Sequence, residues 1–178
     1  MPWPWPGREH VANWPEFHPG ALLAALTNRG IDFVVIGGYA AVAHGSGQIT
    51  RDVDVCFAPD EPNLGVLGNA LKDLDARLAG VAEDVPFIPD AATLRRTDVL
   101  TLMTREGRLD VLRLPDGAPP YDTLRRRALR VQVEGVAVLV ASLEDLISMK
   151  RAADRPKDRI ALEELEVIDR LRRSQPRP

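Results

Sequence analysis

The chain has a single cysteine, Cys56, among its 178 residues, which excludes an internal disulfide and a multi-cysteine zinc site. Aromatic residues make up only 5% of the sequence, and all three tryptophans fall before residue 19. No apolar run reaches the roughly 18 residues a membrane span requires, and the N-terminus shows no signal-peptide pattern. Both absences imply a cytoplasmic protein without a membrane partner. Positive charge is not in excess either. With 23 Lys and Arg against 26 Asp and Glu, net charge is −3 and pI about 5.6, which excludes a generic polyanion binder. The arginine clusters Arg95-Arg96, Arg125 to Arg127 and Arg170 to Arg173 read as solvated helix faces. There is no internal repeat and no low-complexity block. What is present, 45% hydrophobic and 28% charged residues, suffices for one domain with its own core.

The informative stretch is Ile31 to Phe57, IDFVVIGGYAAVAHGSGQITRDVDVCF. Ile31 to Ile36 is an apolar, β-branched run of the kind that forms a buried strand. Gly37-Gly38 ends it, where the backbone can bend freely and approach a ligand closely. Tyr39 to His44 has alanine-rich helical character and stops at Gly45. Ile49 to Phe57 returns as a second strand. Alternation along that strand puts Asp52, Asp54 and Cys56 on one face and Val53, Val55 and Phe57 on the other. Two carboxylates at i and i+2 lie roughly 6.5 Å apart at Cα, a gap that flexing side chains can close around a hard cation. Magnesium fits such oxygen donors and leaves room for substrate phosphates. A glycine turn opening a helix offers N–H groups to those phosphates. Together these features point to phosphoryl or nucleotidyl transfer.

Around this unit three regions are expected: a Pro/Trp-rich tail over 1–19, a catalytic core over 20–141 and a C-terminal helical segment over 142–178. Trp3 and Trp5 in the tail would pack on the domain or on a second subunit. A first helix over 20–29 buries Leu22, Leu23 and Leu26. Asp60 caps a second long helix, whose stripe Leu64, Leu67, Leu71, Leu74 and Leu78 faces the core. Residues 80–97 read as a loop around a short strand. Val99 to Met103 and Arg108 to Leu114 form a hairpin, and Tyr121 to Ala128 a short helix. Strands follow at Leu129 to Val133 and Val136 to Val140. Ser142 with Asp145 caps the next helix. Pro156 breaks the pattern, and a last helix turns Ala161, Leu162, Leu165, Ile168 and Leu171 inward; the tail from Ser174 is expected to fray.

A third carboxylate, Asp110, sits within Arg108-Leu109-Asp110-Val111-Leu112. An aspartate in mid-strand runs against propensity. It either completes a triad with Asp52 and Asp54 or is an ordinary charge, facing water or paired with Arg108 or Arg113. The ordered set Gly37-Gly38, Asp52-Val53-Asp54 and Asp110 resembles the signature of the nucleotidyltransferase superfamily that shares the DNA polymerase β palm. Gly38-Tyr39-Ala40, His44-Gly45 and Arg51 to Asp54 are similar to small bacterial members, and the likeness spans about residues 31–114. It implies a mixed α/β fold, a mixed sheet flanked by helices with further C-terminal helices. It also implies transfer of a nucleotide from an NTP with release of pyrophosphate. Asp52, Asp54 and Asp110 would hold magnesium, with manganese as the alternative ion, and Asp110 would also serve as base. Gly37 and Gly38 would cradle the triphosphate, Gly38 standing where many members carry serine.

The segment Lys150-Arg151-Ala152-Ala153-Asp154-Arg155-Pro156-Lys157-Asp158 resembles the Lys…Arg-Pro-Lys-Asp segment of abortive-infection AbiEii-type and related toxin–antitoxin enzymes. That likeness implies active-site roles for Lys150 and Asp158, an RNA (a tRNA end) or protein acceptor, and an antitoxin as candidate partner. A small molecule such as an aminoglycoside or lincosamide is the other acceptor class, and a nucleotide-binding module without turnover is the rival reading. Lys150 continues the apolar stripe of Leu143, Leu146 and Ile147, so it either snorkels or meets an anion such as a triphosphate or Asp54. Asp158, in a helix's first turn, is also explained by the helix dipole alone. For His44, Ser46, Thr50, Cys56 and Tyr39, ordinary cap, turn, strand and packing roles suffice.

Overall fold

The computed structural model describes residues 16–81 and 86–174. The expectations for Trp3, Trp5 and the frayed tail beyond Ser174 lie outside the described residues. In chain order the elements are α1 (Pro19–Thr27), β1 (Phe33–Ile36), α2 (Gly37–Ala43), β2 (Asp52–Phe57), α3 (Glu61–Asp73), β3 (Arg77–Leu78) and α4 (Ala91–Arg96). β4 (Val99–Thr104), β5 (Gly107–Leu112), α5 (Tyr121–Arg127), β6 (Leu129–Val133), β7 (Val136–Val140), α6 (Leu143–Ala153) and α7 (Pro156–Ser174) follow. The strands form one mixed sheet in the order β3-β4-β5-β2-β1-β7-β6. This is the mixed α/β fold with C-terminal helices that the sequence implies.

The centre of the sheet is where the apolar strands lie. All four residues of β1 are buried, as are Val53, Val55, Cys56 and Phe57 of β2. β1 runs antiparallel to β2, while β2 and β5 run parallel. Helices cover the sheet with the stripes expected of them: Leu22, Leu23 and Leu26 of α1 are buried, and so are Leu64, Leu67 and Leu71 of α3. Asp60 caps α3 by accepting from the Asn63 N–H at 3.1 Å. Ser142 caps α6 in the same way, accepting from the Asp145 N–H at 3.1 Å.

Five expectations are corrected. The α3 stripe does not run on to Leu78: Asp75 turns left-handed (φ 53°), the helix ends at Asp73, and Leu78 pairs with Leu102 in the sheet. Sheet pairing outweighs helical periodicity there. Residues 91–96 are a helix, not a loop; Asp90 caps it from the Thr93 N–H at 2.8 Å and Leu94 is its only buried residue, too little for a periodic signal. The short strand lies before residue 80, at Arg77–Leu78. Leu171 points outward, 59% exposed, because the buried side of α7 narrows to Asp158, Ala161 and Leu165. Helix α2 also begins at Gly37 itself, so the glycines form its first turn.

Candidate active site

The parallel pairing of β2 with β5 decides the arrangement of the carboxylates. Its register sets Asp54 opposite Asp110 and Asp52 opposite Arg108. Residues opposite in register share a face, so Asp110 joins Asp52 and Asp54 on one side of the sheet. On the other flank of β2, Ile36 pairs with Asp54, which brings Gly37 beside the same carboxyl. A cleft of about 880 Å³ opens over this point. Asp52, Asp54, Asp110, Gly37, Gly38, Lys150 and Asp158, the residues singled out from the sequence, all line it.

Gly37 is there for two reasons. Its φ of +67° is left-handed, and a Cβ at this position would stand 2.0 Å from Asp54 Oδ2. We therefore expect Gly37→Ala to cost about 1–3 kcal/mol of stability and to displace the Asp54 carboxyl. Thermal melts and a transfer assay on this one variant check both effects. Gly38 has ordinary backbone angles, but a Cβ there would come within 2.9 Å of the Thr50 hydroxyl. That hydroxyl donates to Asp52 Oδ1 at 2.7 Å. A side chain at 38 would crowd it unless Thr50 shifted.

Burial, then the charges of Asp52 and Asp110, push the Asp54 carboxyl up from its ordinary value to about 7, with Lys150 and Lys157 working the other way. Three carboxylates gathered in this way repel one another unless a cation joins them. Arg108 supplies part of the compensation: its Nε lies 3.4 Å from Asp110 Oδ1 and 3.9 Å from Asp52 Oδ2. Burial opposes the charge on Arg108, but the bond to Asp110 and the carboxylate field outweigh it and hold the guanidinium above its usual range. Among the described residues, no group of three or more His, Cys, Asp or Glu side chains is placed so as to hold a metal ion by itself. The donor set is nonetheless all oxygen, acidic and open to the cleft, which suits a hard divalent ion.

The α6–α7 elbow forms the opposite wall. Lys150 does not snorkel; its Nζ donates to Asp158 Oδ1 at 2.7 Å, with only 16% of the side chain exposed. Asp158 is completely buried and takes a second ion pair from Arg155 at 2.5 Å. Burial would raise the Asp158 carboxyl, but the bonds from Arg155 and Lys150 outweigh it and hold it below the ordinary range. The anion that meets Lys150 is thus Asp158. Asp158 itself does more than complement a helix dipole.

Arg155 and Lys157 also line the cleft, and the sequence reading gave neither a role of its own. Their place in the motif next to Asp158 was the available signal. Of the weaker candidates, His44 is buried, its Nε2 at 2.8 Å from the Ala141 carbonyl and its Nδ1 facing Arg172. Ser46 donates to Glu164 on α7 at 2.7 Å. Tyr39 bonds Glu134 and packs edge-on to Phe17, and Cys56 is a buried core residue.

A two-strand acidic site beside a glycine-opened helix on a mixed sheet is the arrangement of a nucleotidyltransferase. Residues 21–174 match the family described as "Nucleotidyltransferase of unknown function (DUF6036)", and the chain belongs to that family. No curated protein matches the chain in sequence. Among solved structures it is similar to the lincosamide antibiotic adenylyltransferase LnuA bound to lincomycin, at 17% identity and a TM-score of 0.57, over 84% of this chain and 94% of that one. It is also similar to ANT(2'')-Ia in complex with adenylyl-2''-tobramycin, at 19% identity and a TM-score of 0.50, over 86% and 93% of the two chains. At these identities the likeness is one of fold.

Proposed function

We propose that this nucleotidyltransferase moves a nucleotide from an NTP to an acceptor hydroxyl at the cleft of Asp52, Asp54 and Asp110, within a catalytic core over residues 20–141 completed by the helices of 142–178. The observation that carries the reading is the register that pairs Asp54 with Asp110 next to Gly37. Asp52, Asp54 and Asp110 would hold magnesium, or manganese in its place. When bound, such an ion neutralises phosphate charge and stabilises the oxygens that gain it. The first turn of α2 has no side-chain cap, so the N–H groups of Gly37 and Gly38 are free to face phosphate oxygens. Lys150, steered into the cleft by Asp158, offsets the negative charge of the triphosphate. Asp110 accepts the proton of the acceptor hydroxyl. That oxygen attacks the α-phosphate, the bond to the β-phosphate breaks, and pyrophosphate leaves. Catalysis rests on positioning and charge rather than on a covalent step with the protein.

For the acceptor, the cleft wall formed by Val99, Leu112, Leu114 and Asp116 favours a small molecule that carries positive charge and hydroxyl groups. Val99 and Leu114 are about half exposed there. Asp116 is exposed and has no ion-pair partner among the described residues. A second reading, RNA or protein as acceptor in a toxin-type system with an antitoxin partner, is favoured by the basic rim of Arg51, Arg155 and Lys157. Incubating the protein with each labelled NTP, magnesium and one acceptor class at a time separates the two. Label on an aminoglycoside or lincosamide supports the first reading, and label on tRNA or a protein supports the second. NTP binding without transfer to any acceptor would leave only the binding-module alternative.

A further inference from the structure

α7 has 19 residues, about 28 Å of helix, and one side of it is left uncovered among the described residues. Ile160, Val167 and Leu171 are 69%, 44% and 59% exposed. Their spacing of seven and four puts them in a single stripe on the helix surface. Charge along the helix is nearly all spoken for within the chain. Arg159 pairs with Asp154, Glu166 with Arg151, Asp169 with Arg173, and Arg172 bonds His44. Glu164 accepts from Ser46 and the Gly47 N–H, and Asp158 holds Lys150. Only Glu163 and Arg170, among the charged residues from Asp158 to Arg173, have no partner among the described residues. They are opposite in sign, seven residues apart, and flank the same edge of the apolar stripe.

The geometry points to a second copy of this chain as the occupant of that stripe, with the two α7 helices antiparallel. In that arrangement Leu171 of each copy meets Ile160 of the other, and Val167 lies near the two-fold axis. The same register puts Glu163 opposite Arg170 of the second copy, twice, because a two-fold contact repeats every pair. Equivalent flanking positions of an antiparallel helix pair face each other in this way, which is why their charges set orientation. An uncharged partner helix, or a parallel one, would leave both charges unmatched. One helix pair is a small interface, so the dimer should be weak, with a Kd on the order of micromolar.

Sedimentation velocity of the full chain across a concentration series tests this. The expected result is a concentration-dependent dimer. Glu163→Arg and Arg170→Glu, each bringing like charges together twice, should weaken it about tenfold or more, and the double variant should restore it. Val167→Asp should abolish it. All three positions changed are exposed surface, and unchanged circular dichroism and melting would show each variant folded. A monomer throughout, or a dimer indifferent to Glu163→Arg, overturns the inference, including the case in which a different protein covers α7. The outcome does not depend on which acceptor the cleft uses.

Discussion

Asp54→Asn should slow nucleotide transfer severely and yet make the metal-free protein more stable at pH 8. Losing one of the three carboxylates should lower the transfer rate by roughly 10²–10³-fold, the effect of removing one charge-stabilising group from a preorganised site. The stability gain follows from the raised carboxyl of Asp54, about 7 in the folded chain against 3.8 for the free group. A carboxyl raised on folding contributes stability that is whole below its unfolded value and lost as pH climbs through the folded one. In EDTA the wild type should therefore lose stability between about pH 4 and pH 7, up to about 4 kcal/mol. Solvent and the nearby lysines reduce that figure, so we expect a gain of about 1–3 kcal/mol for the variant, a rise in Tm of roughly 2–8 °C. Melts of both proteins at pH 5 and pH 8 decide it. Parallel curves would mean that the three aspartates do not crowd one another, and the proposed ion site would lose its physical basis.

Asp158→Ala is expected to be the most destabilising single change in the C-terminal helices. It would leave Lys150, 16% exposed, without its carboxylate and Arg155 without its partner. Breaking a buried pair from one side typically costs 3–5 kcal/mol, far more than the pair itself contributes, because the remaining charge stays desolvated. For a chain of this length that is a fall in Tm of roughly 10 °C. Lys150→Met combined with Asp158→Leu should recover much of the loss, since the two sites then share an apolar contact. Equilibrium urea unfolding of the two single variants and the double provides the coupling energy; a value near zero would contradict the pairing. In the transfer assay, Lys150→Met should raise KM for the NTP more than it lowers kcat if its role is to meet the triphosphate. Because the Asp158 carboxyl is held low, its contribution is present above its unfolded value and lost as the solution is acidified through the folded one.

Part of this was legible in the sequence because the signals are local. The strand–glycine–helix–strand run from Ile31 to Phe57, the caps at Asp60 and Ser142 and the alternation of Asp52 with Asp54 all arise within a few residues of each other. Periodicity failed where a neighbour in space outweighed it. Leu78 fits a helical stripe but pairs with Leu102, and Leu171 completes an apolar pattern on a face left exposed among the described residues.

The sequence by itself determined the chemistry available to the protein: three aspartates on apolar strands, a diglycine and an inward lysine, none of which an ordinary core would favour. Only the tertiary structure decided how they act on each other. The parallel pairing of β2 and β5 carries Asp110 to Asp54, and the α6–α7 elbow joins Lys150 to Asp158. Electrostatic coupling falls off with distance through space and is blind to separation along the chain. No local pattern therefore reveals which charges meet.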